Sequence, residues 1–146
     1  MEYRFEPATE FGRFADNLQS NIGGEAIITK YRNGVRIKND KYDFMLIDFP
    51  MVAMFRYREN KRIAKLLRAE LPTIEQTTLI YKYRKQINDI LRYFDGIVED
   101  ELLCTSDKFN GCTVAVDMRN GSVDIDDSGR LLGCICTRFI RNIKKR

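Results

Sequence analysis

The chain has 146 residues, 44% of them hydrophobic and 32% charged, with 25 Lys and Arg against 21 Asp and Glu for a net charge of +4. That size and balance predict one globular domain, residues 1–146, able to bury a core without disulfides or metal, and they exclude a disordered or fibrous chain. No histidine is present, which removes the commonest general base, the Ser–His and Cys–His nucleophile pairs and the commonest metal ligand.

In chain order, a helix is expected from about Thr9 to Ile22. Phe11, Phe14, Ala15, Leu18 and Ile22 recur on one face of a 3.6-residue repeat, with Thr9 as cap and Gly23-Gly24 as stop. Asn33-Gly34 then signals a two-residue hairpin turn. That register sets Arg32 opposite Val35 and Tyr31 opposite Arg36. It gives a core face of Ala26, Ile28, Val35 and Ile37, and a cationic face of Ile27, Thr29, Tyr31, Arg36 and Lys38. Tyr42 to Phe49 reads as a buried strand, and Pro50 to Tyr57 fits strand or helix equally well.

Two central amphipathic helices follow. The first runs from about Asn60 to Pro72, with Ile63, Leu66, Leu67 and Leu71 on its apolar side. The second opens on Thr73-Ile-Glu-Gln76, a capping box, and carries Ile80, Tyr83, Ile87, Ile90 and Phe94 to a stop at Asp95-Gly96. The last third predicts an antiparallel meander on turns at Asn110-Gly111, Asn120-Gly121 and Ser128-Gly129, with strands near 101–109, 112–119, 122–127 and 130–140. The fold class is therefore α+β, with helices covering the apolar sheet faces.

Two-residue turns in the meander would set Asp117 opposite Asp124 and Val123 opposite Cys134. One face then holds Cys112, Val114, Val116, Met118, Val123, Ile125, Leu132, Cys134 and Cys136, where the cysteines pack as small hydrophobes. The other face holds Thr113, Ala115, Asp117, Asp124 and Asp126. It reads as a solvated acidic surface that discourages edge pairing, in preference to a divalent-metal site. No metal or cofactor is assigned. The spacing of Cys104, Cys112, Cys134 and Cys136 is not a zinc pattern.

Charge is strongly partitioned. Residues 1–29 sum to −3, residues 30–95 to +7, residues 96–129 to −6 and residues 130–146 to +6. The positive middle interleaves cations with aromatics, in Lys30-Tyr31-Arg32, Arg56-Tyr57-Arg58, Tyr81-Lys82-Tyr83-Arg84-Lys85 and Arg92-Tyr93-Phe94. Cations neutralise phosphates and aromatic rings stack on unpaired bases. The residue pattern points to a small non-enzymatic nucleic-acid-binding protein. Its candidate contacts are Tyr31, Arg36, Lys38, Arg56, Tyr57, Arg58, Lys61, Lys65, Arg68, Lys82 and Lys85.

The same charge pattern also suits a protein-binding inhibitor or adaptor, of the kind found in phage and mobile elements, that docks on a nucleic-acid-handling enzyme. It further permits head-to-tail self-association. No phosphate-binding glycine loop, dinucleotide fingerprint or nucleophile elbow occurs, and only four serines are present. A metal-dependent nuclease built on Asp117 and Asp124 is the nearest enzymatic alternative. With no signal-peptide core and no bilayer-length apolar run, the expected location is the cytoplasm, with no membrane partner.

Overall fold

The computed structural model describes residues 5–48, 54–55, 57–91, 102–126, 132–133 and 137–139. The architecture is α+β, in the order α1 (Phe5–Gln19), β1 (Ile27–Tyr31), β2 (Gly34–Lys38), β3 (Asp43–Ile47), β4 (Met54–Phe55), α2 (Tyr57–Leu66), α3 (Ile74–Lys82), α4 (Arg84–Ile90), β5 (Leu102–Phe109), β6 (Cys112–Asp117), β7 (Val123–Asp126), β8 (Leu132–Gly133) and β9 (Thr137–Phe139). Two sheets form, β1-β2-β3-β9 and β4-β8-β5-β6-β7. Their pairings are antiparallel except for β5 with β8. The buried side chains of both sheets and of the helices make one contiguous cluster, from Val35, Ile37 and Phe44 to Leu103, Val114 and Met118.

The first helix starts four residues before the expected Thr9 cap. Pro7 does not prevent this, because the first four helical N–H groups have no intrahelical acceptor to lose. The helix ends at Gln19, three residues short of the expected Ile22, and Gly23, at φ +86°, lies in the segment that follows. Asn39 ties that segment to the hairpin. Its amide donates to the carbonyls of Ile22 and Gly24, and its oxygen accepts from the N–H groups of Lys41 and Tyr42.

The first hairpin departs from its expected register by two residues. Tyr31 faces Gly34 and Thr29 faces Arg36, so the loop is Arg32-Asn33, with Arg32 at φ 49°. Gly34 is needed within the strand, not in the turn. A Cβ there would collide with the backbone carbonyl of Leu46 and lie 2.9 Å from Cε of Met45. Because side chains alternate with a period of two, a two-residue slip leaves the faces as expected. Val35 and Ile37 are fully buried, while Ile27, Thr29 and Lys38 are exposed.

Helix α2 ends before the expected Pro72. Arg68 adopts φ 54°, the Ala69 N–H reaches back to the Ala64 carbonyl at 2.8 Å, and the Arg68 N–H bonds Lys65 at 3.0 Å. This is a Schellman stop closed by a non-glycine residue. Shortening the helix changes its buried side. Asn60 and Ala64 are enclosed, Ile63 and Leu67 are half-buried, and Leu66, expected in the core, is 78% exposed. Leu71 is buried from the connecting segment instead.

The capping box of α3 forms as expected, with the Thr73 hydroxyl accepting from the Gln76 N–H and the Gln76 side chain accepting from the Thr73 N–H. The long second helix is in fact two, broken at Tyr83 (φ −110°, ψ 23°). Tyr83 is held there because its hydroxyl accepts the Ala26 N–H at 2.8 Å, which draws the break toward the start of β1. The expected stop at Asp95-Gly96, with Phe94, lies outside the described residues, as do Arg56 and the Ser128-Gly129 turn.

Asn110-Gly111 makes the expected two-residue turn, with both residues at positive φ (51° and 80°). The next connection does not. Val116 faces Val123 and Ala115 faces Asp124, so Asp117 and Asp124 are not opposite one another. The nuclease and metal readings lose the directly opposed carboxylates on which they rested. Asp117 instead shapes a longer loop, its carboxylate accepting from the Arg119 N–H at 2.9 Å and from the Arg119 guanidinium at 2.9 and 3.1 Å.

Strand β6 is also covered on both faces. Thr113, Ala115 and Asp117 are buried, like Val114 and Val116 on the other face, so the expected solvated acidic face does not exist on this strand. Cys104 is a buried core side chain and Cys112 is half-buried; the side chains of Cys134 and Cys136 lie outside the described residues. The expected last strand is divided. Gly133 in β8 pairs with Met54 and Leu103, while β9 joins β3 in the other sheet.

Asp117 supports a first prediction. Its hydrogen bond with Arg119 holds the carboxyl below the ordinary value of 3.8, against the opposing effect of burial. A lowered folded pKa contributes stability that is complete above the unfolded value and is lost as pH falls through the folded one. Asp117→Ala is expected to cost about 1–3 kcal/mol at neutral pH. Asp117→Asn should cost less, since its amide oxygen still accepts the Arg119 N–H, and should flatten the acid limb of stability. Thermal melts at neutral pH and through the acid range below about pH 4 check both.

Candidate nucleic-acid interface

Among the described residues, helix α2 carries the most concentrated cationic feature. Arg58, Lys61, Arg62 and Lys65 stand at i, i+3, i+4 and i+7, a single stripe, and all four are exposed. None forms an ion pair with a carboxylate among the described residues. Arg68, in the left-handed stop, is exposed just past the helix end. The stripe is about 10 Å long at 1.5 Å per residue.

Beneath it lies a cavity of about 550 Å³. Tyr57, Lys61, Ala64 and Lys65 line it from α2, and Ala69, Glu70 and Leu71 from the segment after the helix. Thr73 and Gln76 enter from the start of α3, and Ser106 from β5. The irregularity that presents Ser106 is a register shift between Cys104 and Lys108. It is pinned by the Thr105 hydroxyl donating to the Val114 carbonyl and by the Ser106 N–H donating to Pro72.

The shift also sends Asp107 to the N-terminus of α3, where its carboxylate accepts the Ile74 N–H at 2.7 Å. With Thr73 accepting from Gln76, that helix end is already occupied by the protein's own acceptors and offers little to a foreign anion. Glu75, in the same first turn, accepts from the Tyr42 hydroxyl at 2.6 Å. Burial and this bond together keep Tyr42 protonated far above the usual phenol range.

Tyr57 is half-buried on the cavity wall, and the Lys108 ammonium sits over its ring, 4.2 Å from the centroid. Burial, followed by the nearby Cys104, raises the Tyr57 hydroxyl above its ordinary pKa, so it remains a neutral donor. Lys61 and Lys65 thus share the cavity wall with this ring, and Lys108 reaches the ring from β5. Lys108 was missed by sequence reasoning because it lies in the acidic stretch 96–129, where a sum along the chain hides a single cation.

The remaining predicted contacts are dispersed. Tyr31 lies under the guanidinium groups of both Arg32 and Arg36, at 5.3 and 5.5 Å. Arg36 makes a two-pronged pair with Asp43 at 2.6 and 2.9 Å, which raises its pKa and offsets its charge. Lys38 is exposed on the same sheet face. Lys82 is exposed and its ammonium lies 5.7 Å from the Tyr83 ring; Lys85 is exposed on α4. Since α4 packs on β1 and β2, whose buried face is that of Val35 and Ile37, Lys85 is separated from the Tyr31 face by the sheet, while Lys82 lies at the end of α3. Of the eleven candidates, Tyr57, Arg58, Lys61, Lys65 and Arg68 come together on α2 and its stop.

Among the described residues, no cluster of three or more Cys, Asp or Glu could hold a metal ion, and no helix is long and apolar enough to cross a membrane. Compared with known proteins, the chain matches no family model, no curated protein and no solved structure.

Proposed function

We propose that this protein is a non-enzymatic nucleic-acid-binding protein that engages a single strand along α2. One observation carries the reading: four exposed cations on one stripe of one helix, none ion-paired among the described residues. Like charges at i+3 and i+4 destabilise a helix by about 0.2–0.5 kcal/mol per pair, and the stripe contains four such pairs. Cations near a helix N-terminus also oppose its dipole. Such an arrangement weakens the isolated helix and is relieved by a polyanion. Tyr57 beside the stripe supplies the aromatic surface that favours unpaired bases over a duplex.

Fluorescence anisotropy of a labelled single strand, titrated at several salt concentrations, tests the reading. Four neutralised phosphates predict a slope of log affinity against log salt of about −3. A duplex should bind more weakly at equal salt. No binding at low salt, or a flat slope, overturns the proposal.

A second reading, an acidic protein partner, is favoured by Leu66, which is 78% exposed one turn beyond Arg62. Such a partner would use Leu66 as an apolar anchor. Its affinity would fall with Leu66→Ser, a loss of apolar contact that phosphate binding along the stripe would not show.

A further inference from the structure

The cavity beside the stripe has a chemistry of its own. At about 550 Å³ it falls within the range of small-molecule sites. Its walls include Ala64, Leu71 and the Tyr57 ring, its polar groups include Ser106, and Lys61 and Lys65 belong both to its lining and to the stripe. Glu70 also lies on the wall.

We infer that this cavity is a nucleobase pocket, holding one unstacked base of a strand whose phosphates lie on Arg58, Lys61, Arg62 and Lys65. The inference rests on the single-strand reading and adds to it where the base goes. An apolar and aromatic interior with a cationic rim suits a base flanked by phosphates. It does not suit a free inorganic anion, which would have to displace Asp107 or Thr73 to reach the α3 terminus. Lys108, over the Tyr57 ring, adds a third cation beside that aromatic wall.

The test compares two labelled strands of equal length in the intact protein, one ordinary and one abasic, by anisotropy at a single low salt concentration. The two carry the same phosphates and differ only in bases. The ordinary strand is expected to bind about tenfold more tightly, the lower part of the range for aromatic–base stacking. Ser106→Phe, which sets a ring at an exposed position on the cavity wall, should bring the ratio close to one, as should Tyr57→Leu. Equal binding of the two strands by the unaltered protein overturns the pocket and leaves the stripe standing. A ratio that persists in both folded variants also overturns it, because the bases would then be held elsewhere. Failure of both strands to bind overturns the pocket and the single-strand reading together.

Discussion

Gly34→Ala is expected to destabilise the protein by about 3 kcal/mol or more, the upper part of the range for forced overpacking. The added Cβ would meet the Leu46 carbonyl oxygen, a backbone atom that can withdraw only if β3 moves. Strand β3 is an inner strand of its sheet, paired with β2 on one side and β9 on the other, and Phe44, Met45, Leu46 and Ile47 are all buried. Moving it disturbs both pairings and the shared core. A control on the exposed turn at Gly111 separates packing from backbone conformation. Nothing lies within 4 Å of a Cβ there, but φ is +80°, so Gly111→Ala carries the conformational cost alone. Chemical denaturation of both variants checks the order. Equal losses would mean that the Leu46 contact relaxes freely.

Lys61→Gln combined with Lys65→Gln is expected to weaken single-strand binding about 100-fold, from the loss of two charge-assisted phosphate contacts of about 1.5 kcal/mol each. The salt slope should become shallower by about 1.4. The same double substitution removes three of the four like-charge neighbours on α2 and should leave thermal stability unchanged or slightly higher at low salt. This opposite movement of binding and stability marks a stripe kept for a ligand. A purely solvated face would show the small gain in stability and no loss of binding.

Much of the local structure could be read directly. The Thr73–Gln76 capping box and the Asn110-Gly111 turn are both short-range devices in which a few neighbouring residues satisfy one another. The faces of the first hairpin were also legible, despite a register two residues off, because the period of a strand is two. Where expectation failed, a distant contact had decided the geometry. The Leu46 backbone moved Gly34 out of the turn, and the Tyr83 hydroxyl bonded to Ala26 accompanies the break that divides one expected helix into two.

Composition, charge order and local signals thus determined an α+β chain with a basic, tyrosine-bearing middle, because each depends on residues close in sequence. Which cations share a surface was decided by the tertiary structure alone. The hairpin turned Arg36 toward Asp43, α4 carried Lys85 to the far side of the sheet, and a bulge in β5 brought Lys108 and Ser106 to α2. A pocket built from residues 57, 76 and 106 has no periodicity to betray it. It exists only because the packing of one shared core sets where each element stops and which side it presents.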